Sequence, residues 1–389
     1  MKFGKKSMGA VAAGLSLAMA LTGFAPAVAL AEQPETPTVE KIVQLNNGST
    51  VDATFTFKAE PTVLFKETDN ETETHTVTAT IGSNNTIEVK ADGSKAENKG
   101  EATINFGNFD HAGVYAWTVT EVSSSAADSK GTFQNNTENK TYTLVAVVSN
   151  PSTEGGAYTV SSYQVWDGVP TATEVEGKVQ YSGSNTAKKS DKATFTNKYT
   201  ENTDENNSDK NPSNLTITKT VTGAQGDKSK DFTFTVTFTI PKGTILPKDK
   251  TAADVLNEIK ATATDGATIK TQGQAVDGAT TRTFTFTAKD AKSVTFTNIL
   301  VGTTYKVEEA EANKGGYKTT WAAVSNGTSE TKQDGILVGE KTNTGTMTNA
   351  KEDTVVTGLI VNNAPFIVMI GVAAAGVAAY GTAKRKLEK

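Results

Sequence analysis

The chain is 389 residues long, has no cysteine and only two histidines, and carries a formal net charge of −5. That length gives room for two or three domains. The charge is mild and forms no basic stripe, so nucleic-acid binding has no support, and the missing cysteines exclude disulfides.

In chain order, the N-terminus "MKFGKKSMGAVAAGLSLAMALTGFAPAVALAEQPE" reads as a secretory signal. Lys2, Lys5 and Lys6 form a basic region, residues 11–21 a short apolar core, and Ala29-Leu30-Ala31 a small-residue cleavage site. Cleavage is expected after Ala31, so residues 1–31 are read as a signal peptide.

The region that follows alternates with period 2. "DFTFTVTFTI" puts Phe232, Phe234, Val236, Phe238 and Ile240 on one face, with Thr between them. "TYTLVAVV" does the same with Tyr142, Leu144, Ala146 and Val148. Thr on the wet face and apolar residues on the dry face predict half-buried antiparallel strands, punctuated by Gly, Asn and Asp. The expected fold class is all-β, as two tandem sandwiches. Residues 252–259 alone read as a short helical turn. "TENTDENNSDKNPSN" has no large apolar residue and reads as a linker. The expected division is a first domain at 32–200, a linker at 201–213, a second domain at 214–352 and a C-terminal segment at 353–389.

The two halves read as distant copies. "NFGNFDHAGVYAWTVTE" ends at Glu121 and "TFTNILVGTTYKVEE" at Glu309. "TVEKIV" (38–43) parallels "TITKTV" (216–221), and "TFTNK" (194–198) parallels "TMTNA" (346–350).

Strand parity then turns polar residues inward. Tyr115, Trp117 and Val119 carry Glu121 with them, and Tyr305 and Val307 carry Glu309. Lys41 shares parity with Val39 and Val43, and Lys219 with Ile217 and Val221. Asn197 follows Phe195, and Asn349 follows Met347. Each half therefore buries a Lys, a Glu and an Asn, unless strand ends fray and leave ordinary salt bridges. An isolated buried charge costs several kcal/mol, so it pairs, neutralises or reacts. A neutral amine is a nucleophile, a protonated carboxyl can polarise an amide oxygen, and an Asn side chain offers a carbonyl with ammonia as leaving group. Parity does not single out the Asn: Asn108 and Asn298 are also in phase.

These residues, with "NLTITKTVTGAQGDKSKDFTFTVTF" (214–238), "FTFKAEP" (55–61), "GVYAWTVTE" (113–121) and "ATFTNK" (193–198), resemble the two-domain backbone pilins of Gram-positive sortase-assembled pili, of the streptococcal T-antigen type. The resemblance implies that the fold is two tandem immunoglobulin-like β-sandwich domains, each with a spontaneous Lys–Asn isopeptide bond between its first and last strands, assisted by a Glu: Lys41, Asn197 and Glu121, then Lys219, Asn349 and Glu309. Family order favours Asn197 and Asn349 over Asn108 and Asn298.

It also implies a sorting signal at 353–389. "TVVTG" precedes an apolar span without charge (364–380) and a basic tail with Lys384, Arg385 and Lys386. A sortase would cut between Thr357 and Gly358, after transient insertion in the membrane. The pentapeptide lacks the Leu and Pro of the usual Leu-Pro-x-Thr-Gly form. An acceptor lysine is implied in "TAKKSDKATFTN", with Lys189 first and Lys188 and Lys192 as alternatives.

The expected function is a structural pilus shaft subunit at the surface of a Gram-positive bacterium. Its expected partners are a pilus-specific sortase, further copies of itself, and tip and base pilins. The alternative is a monomeric wall- or membrane-anchored adhesin. No zinc spacing, P-loop, dinucleotide Gly motif, Gly-x-Ser-x-Gly elbow or calcium loop is present, so no metal, no cofactor and no enzymatic turnover is expected.

Overall fold

A computed structural model describes residues 34–62, 76–95, 97–127, 131–135, 140–175, 178–183, 187–201 and 213–352. The expected signal peptide, most of the linker, and the sorting signal with Thr357 and Gly358 lie outside the described residues, as does His75.

The all-β expectation holds. The first half contains β1 (Thr38–Leu45), β2 (Thr50–Thr62), β3 (Ala79–Ile81), β4 (Thr86–Asp92), β5 (Asn98–Phe106), β6 (Gly113–Ala126), β7 (Gly131–Asn135), β8 (Thr141–Ser149), β9 (Thr159–Asp167), β10 (Thr171–Val175), β11 (Lys178–Ser182), β12 (Lys188–Ser190) and β13 (Ala193–Glu201). The second contains β14 (Ser213–Thr222), β15 (Phe232–Thr239), α1 (Ala252–Glu258), β16 (Lys260–Ala263), β17 (Ala267–Gln272), β18 (Thr281–Ala288), β19 (Ser293–Ile299), β20 (Thr304–Glu309), β21 (Lys318–Ser325), β22 (Thr328–Glu330), β23 (Ile336–Leu337) and β24 (Thr344–Ala350). The helix falls where the sequence places it, opened by a capping box between Thr251 and Asp254.

Each half is a two-layer sandwich. In the first, the sheet β3-β5-β1-β13-β7 faces the sheet β12-β9-β8-β6-β2-β4. In the second, β16-β19-β14-β24-β21-β22 faces β17-β18-β15-β20-β23. Phe55, Phe57, Trp117 and Phe195 fill the first core, and Phe232, Phe234, Phe238, Phe284 and Phe296 the second. The Thr–aromatic alternation supplies these faces, because successive side chains on a strand point to opposite sides.

One topological feature recurs. The first and last strands of each half lie side by side and parallel, β1 with β13 and β14 with β24. A hairpin cannot make such a pair, so the whole half must fold before it closes. The register is the same in both. Lys41 sits opposite Phe195, two residues before Asn197, and Lys219 opposite Met347, two residues before Asn349. The Glu arrives on the facing sheet: Glu121 on β6 opposite Phe57, and Glu309 on β20 opposite Phe234.

Candidate functional site

In the first half, Lys41 is fully buried, and its Nζ donates to Glu121 Oε2 at 2.6 Å. Asn197, also fully buried, donates from Nδ2 to Glu121 Oε1 at 2.6 Å. Glu121 ends the ordered part of its face, just before a bulge, yet its side chain is only 4% exposed. In the second half, Lys219 Nζ donates to Glu309 Oε2 at 2.9 Å and to Met347 O at 3.3 Å, and Asn349 Nδ2 donates to Glu309 Oε1. In each case one carboxylate spans the amine and the amide, one oxygen to each. All six residues named by parity come together as two triads.

The alternative asparagines do not join them. Asn108 is exposed in the loop after β5. Asn298 is buried, but its φ of 61° places it in the left-handed turn region that Asn tolerates.

Burial dominates the electrostatics. It pushes the Lys41 amine down to about 8, and Glu121 only partly opposes this. Burial also lowers Lys219, opposed first by Glu309 and then by Glu311 and Asp290. The two asparagines have a further peculiarity: among the described residues, Asn197 Oδ1 and Asn349 Oδ1 are buried without a hydrogen-bond partner. Buried Asn343 shows the contrast. Asn343 accepts from the Asn326 and Gly339 amides and donates to three carbonyls. An orphaned buried carbonyl is costly, so two at matching positions need an explanation.

A residue missed in the sequence completes each triad. The Lys41 Nζ lies 4.3 Å from the ring centre of Phe55, and Lys219 Nζ 4.3 Å from that of Phe232. Each Phe stands two residues before the one opposite the Glu. The Phe-Thr-Phe pattern of both strands was visible in the sequence, but it reads as ordinary core. The aromatic face offsets part of the cost of burying an ammonium.

The acceptor candidates separate. Lys188 and Lys189 are exposed on β12, a short edge strand, with Lys189 opposite Trp166 on β9. Lys192 is engaged: its Nζ lies 3.2 Å from Glu40 Oε1 and pairs with Glu101. Among the described residues no cluster of side chains could hold a metal ion, and no helix is long and apolar enough to cross a membrane.

Comparison with known proteins divides the chain at the same place as its sheets. Residues 37–200 match the family model described as the Spy0128-like isopeptide containing domain (FctA), and residues 213–351 a domain of unknown function, DUF7601. A pilin of Streptococcus pyogenes serotype M1 is 33% identical over 178 residues, 44% of this chain and 48% of the relative. The chain thus spans about half the length of that curated relative. Among solved structures, the major pilin of Streptococcus pyogenes aligns with 83% of this chain and 100% of its own at 21% identity and a TM-score of 0.30. The T3.2 major pilin from the same species aligns with 82% and 98% at 20% identity and a TM-score of 0.29. The chain is similar to the streptococcal backbone pilins, and its residues 37–200 are similar to the Spy0128-like isopeptide containing domain.

Proposed function

We propose that the protein is a structural subunit of a sortase-assembled surface pilus, and that each half closes itself with a Lys–Asn isopeptide bond. The observation that carries this reading is the pair of buried Lys–Glu–Asn triads, each bridging the first and last strands through one carboxylate.

The chemistry follows from the geometry. Moving one proton from the ammonium to the carboxylate removes both charges from a dry core, which the low dielectric favours. A half-turn of the Asn amide exchanges its N and O, so the new Glu O–H donates to the orphaned carbonyl and polarises it. The neutral amine attacks Cγ. A C–N bond to the lysine forms, the attacking nitrogen gives up one proton to the Glu as the Glu passes one to the departing nitrogen, the Cγ–Nδ2 bond breaks, and ammonia leaves, so the Glu ends protonated as it began. The product is one amide, with no charge and no orphan acceptor. Each bond is made once, so the Glu assists a single internal turnover.

Closing loops of roughly 130 and 160 residues would destabilise the unfolded chain by about 5 kcal/mol each, by analogy with a disulfide of that span. The mechanical effect is larger: tension between first and last strands would run through a covalent bond instead of unzipping the sheet. In a secreted chain without cysteine these bonds take the place of disulfides.

Polymerisation in this reading joins Thr357, after sortase cleavage before Gly358, to Lys189 of the next subunit, with Lys188 as the nearer alternative. The ion pairs of Lys192 with Glu40 and Glu101 weigh against it as the acceptor. Cell-wall extracts on a denaturing gel are expected to show a high-mass ladder that collapses in Lys189→Ala. A ladder that survives Lys188→Ala/Lys189→Ala but not Lys192→Ala would reassign the acceptor. A single band in the native strain would instead mean a monomeric adhesin.

A further inference from the structure

The contact between the two halves is built from side chains with no role in either triad. The turn between β1 and β2 (residues 46–49) reaches into three loops of the second sandwich. Asn46 is buried there, and its amide uses both ends on one residue: Oδ1 accepts from Ile245 N at 2.8 Å and Nδ2 donates to Ile245 O at 3.0 Å. Gln134, on β7, donates to Leu246 O at 2.6 Å. On the other flank the Glu340 carboxylate accepts from Thr50 N and, at 2.9 Å, from Thr50 Oγ1, while Glu340 N donates to Gly48 O at 3.3 Å.

The backbones approach closely between these flanks. A Cβ on Gly48 would lie 3.0 Å from Gly339 Cα and 3.2 Å from Leu337 Cδ2. A Cβ on Gly302 would lie 2.9 Å from Asn46 Cβ. Both glycines hold φ near +90°, at 87° and 95°, where side chains are strained in any case.

We propose that the β1–β2 turn is a plug, seated in a socket formed by residues 245–246, 302 and 337–340, that locks the two sandwiches into one rigid unit. Bonds on two flanks, running in both directions, fix rotation as well as separation. A single flank would leave a hinge. The paired use of the Asn46 amide makes the joint specific, because neither end can be satisfied by the socket if the turn shifts by one residue. A shaft made of such units bends between subunits, not within them. This inference stands whether or not the triads cross-link.

The test is a distance measurement in the full chain. With no native cysteine, Lys90→Cys on β4 and Lys270→Cys on β17, both exposed, take one spin label each. Pulsed dipolar spectroscopy is expected to give one narrow distance distribution, broadened at least twofold by Asn46→Ala/Glu340→Ala with circular dichroism unchanged. A broad distribution in the native background, or a narrow one in the folded double variant, overturns the proposal. Should the double variant fail to fold, Glu340→Ala with Gln134→Ala removes one residue's side-chain bonds on each flank without touching the turn, and is read the same way.

Discussion

At the scale of single residues, the site sets a lysine, a glutamate and an asparagine in hydrogen-bond contact away from water. Lys41 in water would hold its proton to 10.5, but burial brings that down to about 8. Asn197→Ala removes the electrophile and leaves Lys41 as a free amine, which makes its titration visible. Below about pH 8 both folded and unfolded chains hold the proton, and the full cost of burying the charge is present. Between 8 and 10.5 the unfolded chain holds a proton that the folded one has lost, so raising the pH favours folding. The stability of Asn197→Ala is expected to rise by about 3 kcal/mol across that window in urea titrations, and Lys41→Met added to it should abolish the rise. The native protein should lack this contribution, because an amide nitrogen does not titrate. Parity turned all six residues inward, because each shares a face with clear core positions, but the choice of Asn197 and Asn349 over Asn108 and Asn298 came from the family resemblance. The orphaned carbonyls and the Phe55 and Phe232 rings were not legible, since each depends on what the facing sheet brings.

At the scale of elements, the parallel pairing of first and last strands is what brings Lys and Asn together. Nothing in the alternation of "TITKTV" or "TMTNA" states which strand lies beside which; pairing is fixed by packing of the finished sandwich. The inward direction of Glu121 also depends on where the ladder breaks. Val122 is the extra residue of a bulge between β2 and β6, and it lies immediately after Glu121. The same insertion two residues earlier would have turned Glu121 to solvent. Close packing beside the second triad gives a sharp test. Gly345 on β24 lies under the ring of Trp321, where a Cβ would meet Cη2 at 2.1 Å. Gly345→Ala should therefore destabilise the second half by about 1–3 kcal/mol, read as a lowered Tm, and the fall should be largest in an Asn349→Ala background, where the proposed cross-link between β14 and β24 cannot form.

For the whole molecule, the two halves reached the same geometry on sequences that share little beyond the strand pattern. The repeat was legible because the triad members fall in the same order, Lys first, Glu in the middle and Asn last. The joint between the halves was not, because nothing in Asn46-Asn47-Gly48 points beyond a local turn, and the Asn46 partner lies 199 residues away. Resistance to proteolysis and to pulling within each half would both follow from covalent closure. Intact mass of the purified chain tests it most directly. Two bonds each release one ammonia, so the account predicts a mass about 34 Da below that of the sequence between the observed termini. A deficit of about 17 Da would mean that only one triad reacts, and an unshifted mass would contradict the central claim.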